Sequence, residues 1–210
     1  MNKKELLLNI GGISKTSKMP SNSWNLSAWH CNVGSKLAKI ENSVCNGCYA
    51  MKGFYNMYKK GHIQRHNNKI DLYNKDSKRF EDSFITYLNK YEKNYFRWFD
   101  SGDIPNYEFL LSLVRICKNT PNIKHWIPTK EYSLIHRYLK KHKKFPKNMI
   151  VRVSAPMMDS NIKGFKYTSS VQKDKKLTGH LCNAPKQDNQ CLDCRACWDP
   201  EIKNIVYKVH

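Results

Sequence analysis

The rhythm of strands and helices from residue 95 onward constrains this chain more than any other feature. Short apolar or aromatic runs occur at Tyr95–Phe99, Lys124–Ile127 and Ile150–Val153. Between the first two, Asn106–Lys118 places Leu110, Leu113, Val114 and Cys117 on one helical face, and Pro121 stops it. Between the second and third, Glu131–Lys141 carries Leu134, Ile135, Tyr138 and Leu139 at helical spacing before Pro146. Two consecutive strand–helix units of under thirty residues each leave room only for parallel strands with right-handed crossovers. The expected class is therefore α/β, a sheet or barrel. Such folds bind ligands at the C-terminal ends of the strands. Here those ends read Asp100-Ser101-Gly102-Asp103, Pro128-Thr129-Lys130 and Ser154-Ala155-Pro156, which are expected to share one rim.

Upstream, Trp24–Trp29 reads as a further strand, with Cys31 two residues beyond it and Cys45 and Cys48 after a polar loop. A helix is expected to run on from the Cys45–Cys48 pair within residues 51–76. A clearer one spans Ser77–Tyr91, with Phe80, Phe84, Leu88 and Tyr91 at helical spacing. Residues 1–23 read as an irregular lead-in, 24–160 as the strand–helix unit, and 161–210 as a cysteine-rich segment packed on the same domain. That segment holds short strands or loops over 160–180 and a closing strand at Ile205–Val209. At 210 residues, one domain with a sizeable core is expected.

No apolar run approaches a membrane span, and MNKKELLLNIGG lacks a signal-peptide core and cleavage site. The expectation is a soluble, cytoplasmic protein without a membrane partner. Thiols stay reduced there, so eight cysteines argue for metal ligation over disulfides. Cys182, Cys191, Cys194 and Cys197 follow C-x8-C-x2-C-x2-C, like the tight run of ferredoxin-type loops. Zinc sites more often pair two separated CxxC knuckles, so a four-iron cluster is the first reading and zinc the alternative. Cys31, Cys45 and Cys48 would hold a second four-iron cluster with one iron free for a small molecule. A zinc site completed by His30, or unrelated buried thiols, are the other readings of that set. Cys117 lies on an apolar helix face and reads as a small buried hydrophobe. His62 and His66 read as solvated or base-contacting residues, and Trp98, Trp126 and Trp198 as core.

The net charge of +20 is spread over segments such as Lys140–Lys144 and Lys173–Lys176. It admits two readings, a polyanionic partner such as nucleic acid or simply lysine-rich solvated faces.

With these features in order, the chain resembles the radical S-adenosylmethionine fold over residues 24–156. A first strand runs into the cysteine loop, Ser101-Gly102-Asp103 stands where that family's Gly-Gly-Glu-like turn binds the methionine amino group, and HWIPTK and VRVSAP follow as strands. It is also similar to phage-encoded proteins of the gene-product-88 type, through CxxCYA with KGxY (Cys45–Ala50, Lys52–Tyr55), FRWFDSGDI and CLDCRACW. The resemblance implies a partial (β/α) barrel of radical-SAM type with a C-terminal cysteine-rich cluster-binding segment. It implies two [4Fe-4S] clusters, S-adenosylmethionine positioned by Ser101, Gly102 and Asp103, and an electron donor. Lys130 and Arg152 would be rim residues for an anionic substrate, a nucleic acid or nucleotide. The host cytoplasm would be the setting. The alternative function is a non-enzymatic nucleic-acid-binding protein with structural iron–sulfur or zinc sites.

Overall fold

The computed structural model describes residues 1–209 and contains the strand–helix alternation expected from residue 95 onward. Strands β1 (Ser14–Lys15), β2 (Asn22–Trp24), β3 (Tyr95–Trp98), β4 (Lys124–Thr129), β5 (Met149–Ser154), β6 (Thr168–Gln172), β7 (His180–Leu181) and β8 (Asn204–Lys208) form one sheet. Its order is β1-β2-β3-β4-β5-β6-β8-β7. Every pairing is parallel except β1 with β2. The helices are α1 (Lys3–Asn9), α2 (Asn32–Leu37), α3 (Gly53–Met57), α4 (Lys59–Lys75), α5 (Ser77–Tyr91), α6 (Tyr107–Lys118) and α7 (Tyr132–His142).

From β1 to β6 the spatial order of strands follows the chain, so successive right-handed crossovers send helices to the same side. That winding belongs to a barrel, but the sheet does not close. The two-residue strands β1 and β7 are its edges, and the result is an open, mostly parallel α/β sheet.

The helix-covered face is a continuous apolar core. Alternation along the strands sends Trp24, Phe96, Trp98, Ile127, Met149, Val151 and Val153 into it, against side chains of α1, α4, α5, α6 and α7. Trp24 sits at its centre. It stacks on Phe109 at 5.6 Å and meets Phe80 and Phe84 edge-on at 5.8 Å, while its indole N–H donates to the Ile10 carbonyl at 2.7 Å. Cys117 lies fully buried in this core, as the sequence predicts.

Two expectations require correction near the N-terminus. Residues 1–23 are not an irregular lead-in. Asn2 and Glu5 form a reciprocal capping box that starts α1, and Leu6 and Ile10 are fully buried. The strand expected over Trp24–Trp29 also ends early, at Trp24. Asn25 turns its amide to the Asp100 carboxylate at 2.7 Å, and Ala28–His30 closes into a 3-10 turn just before Cys31. Polar side chains that satisfy each other off the sheet outcompete continuation of the ladder.

Candidate metal centres

The first thiol group lies just beyond the strand ends. Cys31 caps the start of α2, and Cys45 and Cys48 belong to a turn closed by a Cys48 N–H to Cys45 carbonyl bond of 3.1 Å. Gly47 takes a left-handed φ of +77° inside that turn. The short helix α2 brings the two parts together through Gly34. A β-carbon there would meet Cys31 Cβ at 2.9 Å and stand 3.6 Å from the Cys31 sulfur and 3.7 Å from the Cys45 sulfur. The absent side chain is the gap between two thiols. Gly34 was not singled out by sequence reasoning, although a glycine three residues after a cysteine in a short helix is the signal that could have flagged it.

The electrostatics place the three sulfurs as neighbours. Burial pushes the Cys31 thiol well up, and Asp103 and Cys48 push it further. Burial likewise raises Cys45, against the pull of the Lys130 ammonium. The Lys130 ammonium therefore lies beside this group. His30 does not join the thiols; its ring stacks on His66 at 3.9 Å, and His66 Nδ1 accepts the Ser27 N–H.

Ser101, Gly102 and Asp103 sit beside the group but are committed to the fold. The Ser101 hydroxyl donates to the Leu26 carbonyl at 2.7 Å. Gly102 has φ +77°, and a β-carbon there would lie 2.7 Å from Leu26 backbone atoms. The Asp103 carboxylate accepts from the Thr129 hydroxyl at 2.6 Å and from the Ile104 and Lys130 N–H groups at 2.8 Å. Burial lifts its pKa above the usual carboxylate range despite these donors. The turn thus latches the ends of β2, β3 and β4 together. The Ser101 hydroxyl and the Asp103 carboxylate thus already have partners within the fold.

The second thiol group covers the sheet face opposite the helices. Cys182 follows β7, its N–H bonded to the Val206 carbonyl at 2.8 Å, and Cys194 N–H bonds the Cys191 carbonyl at 2.9 Å. Burial raises Cys191, with Cys182 and Cys194 adding to the effect, and pushes Cys197 up to about 11. The Cys194 sulfur lies 3.7 Å from His180 Nε2, and the Cys197 sulfur 3.6 Å from the Tyr207 hydroxyl.

Arg152 was expected on the rim, and the structure corrects this. It is fully buried on β5, and its guanidinium donates to the carbonyls of Ala196, Cys197, Asp199 and Ile202 at 2.9–3.0 Å. A buried guanidinium needs its N–H groups satisfied, and the carbonyls in and around the short 3-10 turn Ala196–Trp198 meet them. Arg152 therefore anchors the cysteine loop. Trp198 completes the seal, donating to the Phe96 carbonyl at 3.0 Å and meeting Trp126 edge-on at 5.3 Å. The expectation that Trp98, Trp126 and Trp198 belong to the core holds.

Arg97 is a second residue the sequence did not flag. It stacks over Trp126 at 4.6 Å and lies within electrostatic reach of Cys191, Cys197 and Tyr49, the residue after Cys48. Its Nε and the Trp126 indole nitrogen are buried without a protein partner.

Among the described residues no three His, Cys, Asp or Glu side chains crowd one point closely enough to hold a single metal ion. None of the described helices is long and apolar enough to cross a membrane. No curated protein and no solved structure matches the chain. A family model, Gene product 88, matches residues 3–200, a span that includes both thiol groups, the latch turn and Arg152. On that coverage the chain belongs to the gene product 88 family.

Proposed function

We propose that the protein is an iron–sulfur protein with two centres, one bound by Cys31, Cys45 and Cys48 and the other by Cys182, Cys191, Cys194 and Cys197. The single observation that carries this reading is the gathering of seven free cysteines into two groups while the eighth, Cys117, stays in the helical core. Buried thiols that raise one another's pKa are poor neighbours unless a cation compensates them. A four-iron cluster is wider than one ion, so its thiolates stand further apart than a zinc set would. Arg97, within electrostatic reach of Cys191 and Cys197, carries a buried Nε without a protein partner, an N–H donor of the kind that tunes a cluster's potential.

When bound, a cluster supplies one-electron chemistry and, where only three thiols hold it, an iron open to a ligand. The chain's own residues shape that corner. Lys130 places a cation beside Cys31 and Cys45, Asp103 fixes the Lys130 backbone, and Gly34 keeps the space between two sulfurs clear. The strongly basic chain makes a polyanion, nucleic acid in particular, the partner class.

A second reading, an enzyme that cleaves S-adenosylmethionine, is favoured by one observation: the first group has three thiols, not four. The internal bonding of Ser101, Gly102 and Asp103 opposes it.

Anaerobic purification with iron, sulfide and zinc analysis is the test. About eight irons per chain with matching sulfide supports two cubanes, and zinc without sulfide removes them from the account. Gly34→Ala is expected to lower iron at the first centre only, leaving about four. Release of deoxyadenosine on reduction with S-adenosylmethionine decides the second reading.

A further inference from the structure

The chain between the first thiol group and the helical core has an unusual surface. Helix α3 buries no side chain, and α4 buries only Lys69 and Tyr73, both in its second half. Residues 52–54 and 56–61 are all exposed. Among them, large apolar side chains face water: Phe54 is 76 % exposed, Met57 70 % and Tyr58 59 %. Phe54 and Tyr58 are four residues apart, joined by a Tyr58 N–H to Phe54 carbonyl bond, so they stand one turn apart on one side. Exposed apolar groups of this size concentrated in so short a stretch mark a binding surface.

The charge around them says what kind of surface. Between Glu41 and Asp71 there is no carboxylate at all, while Lys52, Lys59, Lys60, Arg65 and Lys69 lie in that stretch. Lys69 is spoken for, since its ammonium donates to the Asn25 carbonyl at 2.8 Å. Lys52, Lys59, Lys60 and Arg65 are exposed. Two free aromatic faces beside cations, on a stretch that carries no acid of its own, form the combination that binds unpaired nucleotides. Bases stack on the rings, and phosphates meet the ammonium groups. Duplex nucleic acid hides its base faces and cannot use the rings this way.

Resting on the polyanion part of the functional reading, we propose that Phe54 and Tyr58 stack bases of single-stranded nucleic acid, with Lys59 and Lys60 taking its phosphates. The strand is thereby laid beside the Cys45–Cys48 turn. Because α3 begins five residues after Cys48, a strand held there passes next to the three-thiol centre.

The test is binding of a labelled oligothymidylate, and of a duplex of the same length, across a salt series. The wild-type chain is expected to prefer the single strand. Phe54→Ala/Tyr58→Ala is expected to weaken it about tenfold or more with little change in salt slope. Lys59→Ala/Lys60→Ala is expected to flatten the slope by about 1.4, roughly 0.7 for each phosphate left without its lysine. Lys143→Ala/Lys144→Ala, just past the end of α7, serves as the charge-matched control and leaves the slope unchanged. The proposal is overturned if the wild type does not bind, if the duplex binds as well as the single strand, or if the control variant matches Lys59→Ala/Lys60→Ala. Iron content of every preparation, measured in parallel, keeps loss of this surface distinct from loss of the metal centres.

Discussion

The two faces of the sheet are held by different physics. On the helix side, Trp24 and its ring of phenylalanines fill space, and a buried carboxylate, Glu81, is met by Arg115 in a two-point contact at 2.7 and 2.8 Å. On the other side, a segment with almost no regular structure is fixed by one arginine and one tryptophan. The first face is stabilised by area removed from water, a term indifferent to metal. The second relies on polar bonds at a few points, so each of them carries more, and a bound cation has a natural place in it. An ordinary core thus supports an unusual cover.

The largest expected effect lies on the cover. Arg152→Met takes a donor away from the carbonyls of Ala196, Cys197, Asp199 and Ile202, at a cost of about 5 kcal/mol. Urea unfolding measures the loss, and thiol labelling should find the four C-terminal cysteines reactive while Cys117 stays protected. If Cys117 reacts at the same rate, the two faces are one cooperative unit and the contrast fails.

Next comes the helical face. Trp24→Ala opens a cavity among five aromatic rings and should cost about 4 kcal/mol. The same loss is expected with and without a chelator. A loss that depends on chelation would tie this face to the proposed metal centres.

A smaller effect comes from acid. His125 Nδ1 accepts from the Trp98 indole at 3.2 Å, and its Nε2 pairs with the Thr120 hydroxyl at 2.8 Å, so the ring is held neutral. Burial pushes its pKa down to about 3 from an ordinary value of 6.5. Between those values only the unfolded chain takes up the proton. The contribution is complete above 6.5 and is lost as pH falls, at up to about 1.4 kcal/mol per unit. Urea midpoints at neutral and mildly acid pH should show the drop, and His125→Leu should flatten it.

The smallest is Glu81→Gln, expected to cost about 1 kcal/mol because Arg115 is half exposed and water screens the pair. Burial pushes the Glu81 carboxyl up, but the bonds from Arg115 and Ser112 prevail and hold it below its ordinary value. Thermal unfolding at neutral pH checks the size, and a cost several times larger would show that polar bonds matter as much on this face as on the other.

Much of the helical face was legible in the sequence. Helix α5 runs over Ser77–Tyr91 as periodicity predicts, and α6 begins one residue after its predicted start because Asn106 is the cap, accepting the Phe109 N–H. Strands β3, β4, β5 and β8 fall within a residue or two of their expected bounds, whereas β2 ends five residues early. The short capped helix α1 was hidden, since a seven-residue element gives too little periodicity to read. In the candidate site, spacing and chemistry suggested the two cysteine sets, whereas the internal bonds made by Ser101, Asp103 and Arg152 were not legible. Their types suit a ligand site and an internal latch equally well.

The sequence by itself determined the α/β class, the parallel strands, the free thiols and the positive charge, because each follows from local pattern or composition. Only the tertiary structure decided that the sheet stays open, that Arg152 faces a loop instead of a ligand, that Gly34 parts two sulfurs, and that Phe54 and Tyr58 remain in water. Those outcomes depend on which partner reaches a polar or apolar group first in three dimensions, and no spacing along the chain records that competition.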